Sequence, residues 1–291
     1  MSAVATAAEP WTERQRRVAE LRARQPFARE VLDFYGALLP VQQKAFSDAQ
    51  SDSPPVDRLA AYAAEIVVPG VLDVSIAAGP ERLRGALMER LESEPPHSIV
   101  ERWIRGDEQP PVDRFLARAS VGPVLEALGP ETKAACAGPR DARDARHCPQ
   151  CGGAPQLGYF AQAGEDMATG PRFLLCARCA TSWGYARMTC AGCGEDSTSK
   201  LPIYGEEGTT SGERGSVVRG LPAPSTNGHH AAVFPHIRIE ACESCRHYLL
   251  SIDLASDPQA VPIVDEIAAI PLDLYARERG FTKITTNLVG F

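Results

Sequence analysis

Eight of the nine cysteines in this chain fall into four CxxC pairs: Cys148/Cys151, Cys176/Cys179, Cys190/Cys193 and Cys242/Cys245. No other feature of the sequence constrains the fold as strongly. Two residues between cysteines let a tight turn aim both sulfurs at one point. Two such turns close a tetrahedral thiolate cage, with metal–sulfur distances of about 2.3 Å for zinc. Gly152 and Gly194 directly follow two of the pairs, where such turns often need a positive φ. The 24 residues between Cys151 and Cys176 fit one β-hairpin, and the 48 between Cys193 and Cys242 fit a hairpin carrying an insertion. Pairing in sequence order therefore predicts one site from Cys148, Cys151, Cys176 and Cys179 and a second from Cys190, Cys193, Cys242 and Cys245. Interleaved pairing is the alternative. Only ten residues separate Cys179 from Cys190, so the sites should lie close together.

Each site is expected to hold one metal ion, two per chain. Four thiolates accept either zinc or a single iron. They leave net charge −2 around a divalent ion, which Arg178, Arg187 and Arg246 are placed in sequence to offset. A closed shell has no position for a reacting water, so metal-assisted hydrolysis is not expected. No P-loop, dinucleotide fingerprint, HExxH or GxSxG motif is present. A thioredoxin-like pair would open a helix beside a βαβ unit, and no such pattern surrounds these four. Cys136 reads as a small buried thiol. His147 and His247 adjoin the knuckles, as supporting or solvated side chains rather than ligands.

The pattern before the cysteines is helical. Phe27, Val31, Phe34, Tyr35 and Leu38 form one stripe, with Pro26 placed to start it. Leu59, Tyr62, Ala63, Ile66 and Val67 form a second, and Leu83, Leu87 and Leu91 a third. A fourth, from Phe115, is expected to be interrupted at Gly122-Pro123. SDSPP at 51–55 and SEPP at 93–96 break the helices. After the polar stretch 137–146 the texture turns β-rich. Strands are expected at Gln156–Gln162, Pro171–Cys176, Trp183–Thr189, Leu201–Tyr204, His236–Ala241 and Tyr248–Leu254. The Gly-rich stretch 205–234, with His229-His230, reads as a long flexible insertion without a metal role. Residues 258–279 return to helical spacing, with Pro262 in the first turn and Pro271 as a kink or break.

The expected fold class is α+β. A helical domain spans 10–136 and a linker 137–146. Two metal ribbons span 147–189 and 190–256, the second carrying insertion 205–234. A C-terminal helix and tail follow at 257–291. At 44% hydrophobic and 23% charged residues, the chain is neither disordered nor collagenous. Residues 1–145 carry 18 basic and 22 acidic side chains, and residues 146–291 carry 12 and 15. Neither half is basic, which argues against nucleic acid as a partner. No apolar run approaches the length of a membrane span, and the N-terminus lacks the apolar core of an export signal. A cytoplasmic location is expected, where thiols stay reduced.

RFLLCARCATSWGYARMTCAGC (172–193) resembles the central signature of the formate dehydrogenase accessory protein FdhE family. Arg172, Phe173, Leu174, Trp183 and Arg187 stand at that signature's offsets. HCPQCGGAP and EACESCRHYL look like the family's first and last knuckles. FLARASVGPVLEALG (115–129) and VDEIAAIPLDLYARERGF (264–281) resemble its last N-terminal helix and its C-terminal helix. Ser182 and Gly184 flank the Trp where the family usually has Glu and His, and Leu250 replaces a usual Lys. The resemblance implies an N-terminal helical region followed by two rubredoxin-like sites. It also implies a cytoplasmic, non-enzymatic role in maturing formate dehydrogenase, through contact with its catalytic subunit. A rubredoxin-like electron-transfer or thiol-redox protein and a zinc-ribbon nucleic-acid binder are the other readings.

Overall fold

Prolines set the phase of the helices. Pro96, Pro111, Pro130, Pro262 and Pro271 each stand in the first two positions of a helix, where a missing N–H costs nothing and φ is already helical. In the computed structural model, which describes residues 9–136, 144–162, 170–206, 217–218 and 232–290, the N-terminal half is helical. Its helices are α1 (Glu9–Arg24), α2 (Arg29–Asp52), α3 (Leu59–Tyr62), α4 (Val68–Ala78), α5 (Glu81–Ser93), α6 (Pro96–Arg105), α7 (Pro111–Ala127) and α8 (Pro130–Ala135). A π-helical turn, Ala63–Val67, joins α3 to α4 just before Pro69, a residue that cannot donate to an α-helical ladder.

Helix α7 corrects one expectation, since it continues through Gly122-Pro123. Pro123 has no N–H for the carbonyl of Ala119, four residues earlier. The Gln42 amide of α2 donates to that carbonyl instead, at 3.1 Å. A partner from another helix thus satisfies the carbonyl that the proline leaves unpaired. A second correction concerns apolar length. Val56–Ala78 is long and apolar enough to cross a membrane by length and composition. Its Val67, Val68 and Val71 are buried in the first core, whereas Ile66 and Ile76 are exposed.

The strands are β1 (Pro155–Phe160), β2 (Arg172–Cys176), β3 (Ser182–Gly184), β4 (Ile203–Glu206), β5 (Val217–Val218), β6 (Ile237–Ala241), β7 (His247–Asp253) and β8 (Thr282–Lys283). They form one sheet in the order β3-β2-β1-β7-β6-β4-β5, with β8 beside β7. The expected strand at 183–189 is only three residues long. The two ribbons join where β1 and β7 pair in parallel, Gly158 opposite Ser251. Gly158 makes this approach feasible: a Cβ there would lie 2.6 Å from Ser251 Oγ. The C-terminal helix is two helices, α9 (Pro262–Ala268) and α10 (Ile270–Glu278), because Pro271 restarts the ladder. Most of linker 137–146 and of insertion 205–234, including His229-His230, lies outside the described residues.

Two apolar cores result, and α2 contributes to both. Phe34, Leu38 and Ala45 face the first, which also holds Leu116, Val124, Leu174 and Trp183. Leu32, Tyr35 and Leu39 face the second, with Trp11, Ile239, Tyr248, Val264 and Leu272. Each core therefore draws on helical and β residues together.

Candidate metal centres

The four knuckles share one backbone solution. The residue after each second cysteine has positive φ: Gly152 at 69°, Ala180 at 54°, Gly194 at 82° and Arg246 at 60°. The chain reverses there, and the N–H of that residue donates back to the carbonyl of the first cysteine, at 2.9–3.3 Å in all four. Ala180 and Arg246 adopt this left-handed conformation without glycine's freedom, at a cost of about 1–2 kcal/mol each.

The structure groups the cysteines in sequence order. Cys148, Cys151, Cys176 and Cys179 form one group, and Cys190, Cys193, Cys242 and Cys245 the other. In the first, Cys148 and Cys179 sulfurs are 3.7 Å apart and those of Cys151 and Cys176 3.4 Å. In the second, the Cys190–Cys245 and Cys193–Cys242 separations are both 3.7 Å. These are not disulfides, whose sulfurs lie about 2.05 Å apart. They suit a tetrahedron with metal–sulfur bonds of about 2.3 Å, whose edge is about 3.8 Å. Each group can hold a metal ion.

The electrostatics ask for a cation. Hydrogen bonds from Cys151, Cys176 and Cys179 hold the Cys148 thiol far below its ordinary range. The same contacts push Cys151 and Cys176 upward. A divalent ion in the group would let all four sulfurs ionise. Backbone amides contribute as well: Arg178 N–H donates to Cys176 Sγ and Gly192 N–H to Cys190 Sγ, both at 3.3 Å. The Thr181 hydroxyl lies 3.2 Å from Cys179 Sγ.

The guanidinium groups expected to offset the sulfurs are engaged elsewhere. Arg178 donates to the Ile104 carbonyl and lies over Trp103, Arg187 donates to Gly170, and Arg246 donates to Arg279 while lying over Phe281. His147 bonds Asp144 and His247 approaches the Cys245 carbonyl. Neither joins a sulfur group. Cys136 is buried and separate, its thiol pushed up by burial. Arg146 was not singled out by the sequence. It donates to the Gly192 carbonyl inside the third knuckle, at 2.9 Å.

Burial separates the two groups. All four cysteines of the first are at most 2% exposed and belong to the first apolar core. In the second, Cys193 is exposed and Cys245 half-buried, and none of the four belongs to either core. Arg172 links the two ribbons. From β2 it donates to Glu240 on β6 and to the carbonyls of Ala186 and Thr189, just before Cys190. The Trp183 indole donates to the Ala145 carbonyl before the first knuckle, at 2.9 Å.

Residues 147–187 match the FdhE central domain and residues 224–289 the FdhE C-terminal domain. Over these two segments the chain is similar to the FdhE family. A protein named "Protein FdhE homolog" from Aquifex aeolicus is 26% identical over 204 residues, 70% of this chain and 61% of that protein. One of the same name from Pseudomonas aeruginosa is 34% identical over 142 residues, 49% of this chain and 38% of that protein. The matches thus span between 38% and 61% of these relatives' length. The crystal structure of the FdhE protein from Pseudomonas aeruginosa has the same fold, with a TM-score of 0.62 at 21% identity, covering 98% of this chain and 96% of that one.

A third group, His236, Asp257 and Asp265, also has metal-binding geometry, but a side chain already supplies its cation. Arg17 of α1 reaches Asp265 at 2.5 Å and Asp257 at 2.7 Å, and His236 bonds Asp265 at 2.9 Å. This cluster clamps the first helix to α9.

Proposed function

We propose that the chain is a maturation factor for formate dehydrogenase that binds the enzyme's catalytic subunit in the cytoplasm and has no turnover of its own. The observation that carries this reading is the pair of closed four-cysteine groups, six of whose eight cysteines lie in segments that match FdhE domains. Each group holds one metal ion, zinc or iron, with all eight cysteines as ligands. Four thiolates complete a tetrahedral shell and leave the ion no substrate position, which fits a scaffold better than a catalyst. A redox role is the second reading, supported by the exposure of Cys193 at the second group. An iron there would lie close to an electron-transfer partner.

Two experiments test the first reading. The tagged chain should recover the catalytic subunit from native extract. Deleting the gene, or replacing Cys190 and Cys193 by Ser, should abolish formate dehydrogenase activity while transcript of the enzyme is unchanged. Full activity in the deletion strain would refute the maturation role. Iron with a reversible potential in anaerobically purified protein would favour the redox reading.

A further inference from the structure

A cavity of about 590 Å³ opens among α2, α5, α7 and the C-terminal tail. It is far larger than the spaces of about 30 and 60 Å³ beside Cys190 and Cys176, and it falls within the size range of ligand sites. Its walls are mostly apolar, including Phe34, Leu83, Phe115 and Val289, and Phe27, which also lines it, is 51% exposed. Exposed apolar surface of this kind marks interaction sites.

The charge of this groove runs against that of the chain. The protein carries net −7, yet Arg82, Arg114 and Arg118 line the groove against one carboxylate, Glu30. Arg82 and Arg114 are exposed and make no ion pair among the described residues. Arg118 is half-buried and donates only to uncharged oxygens, the Thr286 carbonyl and the Gln156 side chain. Three cations at separate positions around one apolar trough ask for several carboxylates on one apolar body. A polypeptide segment offers that, whereas a single small acid does not.

We infer that this groove binds an apolar, acidic segment of the partner polypeptide, with Asp or Glu side chains on Arg82 and Arg114 and apolar side chains against Phe27 and its neighbours. The inference rests on the proposed role as a factor that docks on another protein. It names the surface and the chemistry of that contact.

The test uses the full metal-loaded chain, the purified formate dehydrogenase catalytic subunit and short overlapping peptides tiling it. Affinity is read by biolayer interferometry. The tightest peptides should be apolar and acidic. Both the R82E/R114E double variant and Phe27→Ala should weaken the whole subunit at least about tenfold, because opposed charges and exposed aromatic anchors govern such contacts. R82K/R114K should retain most of the binding. Circular dichroism and metal content of the variants should match wild type, since these side chains are exposed. Equal binding by wild type and R82E/R114E would overturn the groove and leave the maturation role standing. Binding of the subunit to neither would overturn both. A wild-type dimer in sedimentation that R82E/R114E dissociates would assign the groove to a second copy of this chain instead.

Discussion

The two cysteine groups are built from the same knuckle and the same sulfur spacing, yet they sit in different surroundings. The first lies inside an apolar core shared with the helices, beneath Leu116, Val124 and Trp183. The second lies outside both cores, with Cys193 exposed. Ligand geometry alone therefore does not fix what a metal does for a protein. A metal that fills a core shares the stability of that core. A metal near the surface can be lost, exchanged or approached by a partner while the core persists.

The largest expected effect contrasts the two directly. Cys176→Ser should prevent folding of the whole chain, helices included. A structural thiolate site contributes on the order of 10 kcal/mol, comparable with the total stability of a domain. Cys193→Ser should remove one metal and leave the helical circular dichroism nearly unchanged. Similar losses from both variants would erase the distinction.

Arg17→Ala comes next. It leaves Asp265 buried with only His236 and the Val261 N–H as partners and should cost about 3–5 kcal/mol in denaturant unfolding, with both metals retained. Burial opposes ionisation of Asp257, but hydrogen bonding and charge from Arg17 more than offset it, and its pKa is lowered. A depressed folded pKa stabilises above the unfolded value of about 3.9 and loses that effect as pH falls through the folded one. The gap between wild type and Arg17→Ala should therefore shrink below about pH 4.

Gly158→Ala probes the junction between the ribbons. The added Cβ would press on Ser251 Oγ, and overpacking of this kind costs about 1–3 kcal/mol. The smallest effect should be a gain. Ala180→Gly relieves a left-handed residue in the first group and should add about 0.5–1 kcal/mol once glycine's entropy is counted. A loss would mean that the Ala180 methyl packs more favourably than its backbone is strained.

What the sequence revealed is what short-range rules encode. CxxC spacing, Pro262 in a first helical turn, and the breakers at 51–55 and 93–96 depend on neighbours in the chain, so they could be read without a structure. The sequence-order grouping of the eight cysteines also followed from hairpin lengths. Long-range polar partners could not be read in this way. Arg17 finds Asp265 across 248 residues, and nothing in its neighbouring sequence announces that partner. Gln42 carries no local sign that it will serve the carbonyl freed by Pro123. The same holds for Lys283, which lies buried between Glu266 and Asp273 at 2.8 and 3.0 Å. The unequal burial of the cysteine groups belongs to this class too, because it depends on where the helices pack.

The contrast between the groups is tested most directly by timed chelation. The metal-loaded chain is mixed with excess chelator, metals per chain are counted by native mass spectrometry, and helical content is followed by circular dichroism. The burial difference predicts an intermediate with one metal, bound by Cys148, Cys151, Cys176 and Cys179, that keeps its helical signal. The second metal should leave at least about tenfold more slowly and take the helical signal with it, since its release requires the core to open. Simultaneous loss of both metals, or earlier loss from the buried group, would contradict the assignment of one metal to the core and the other to the surface.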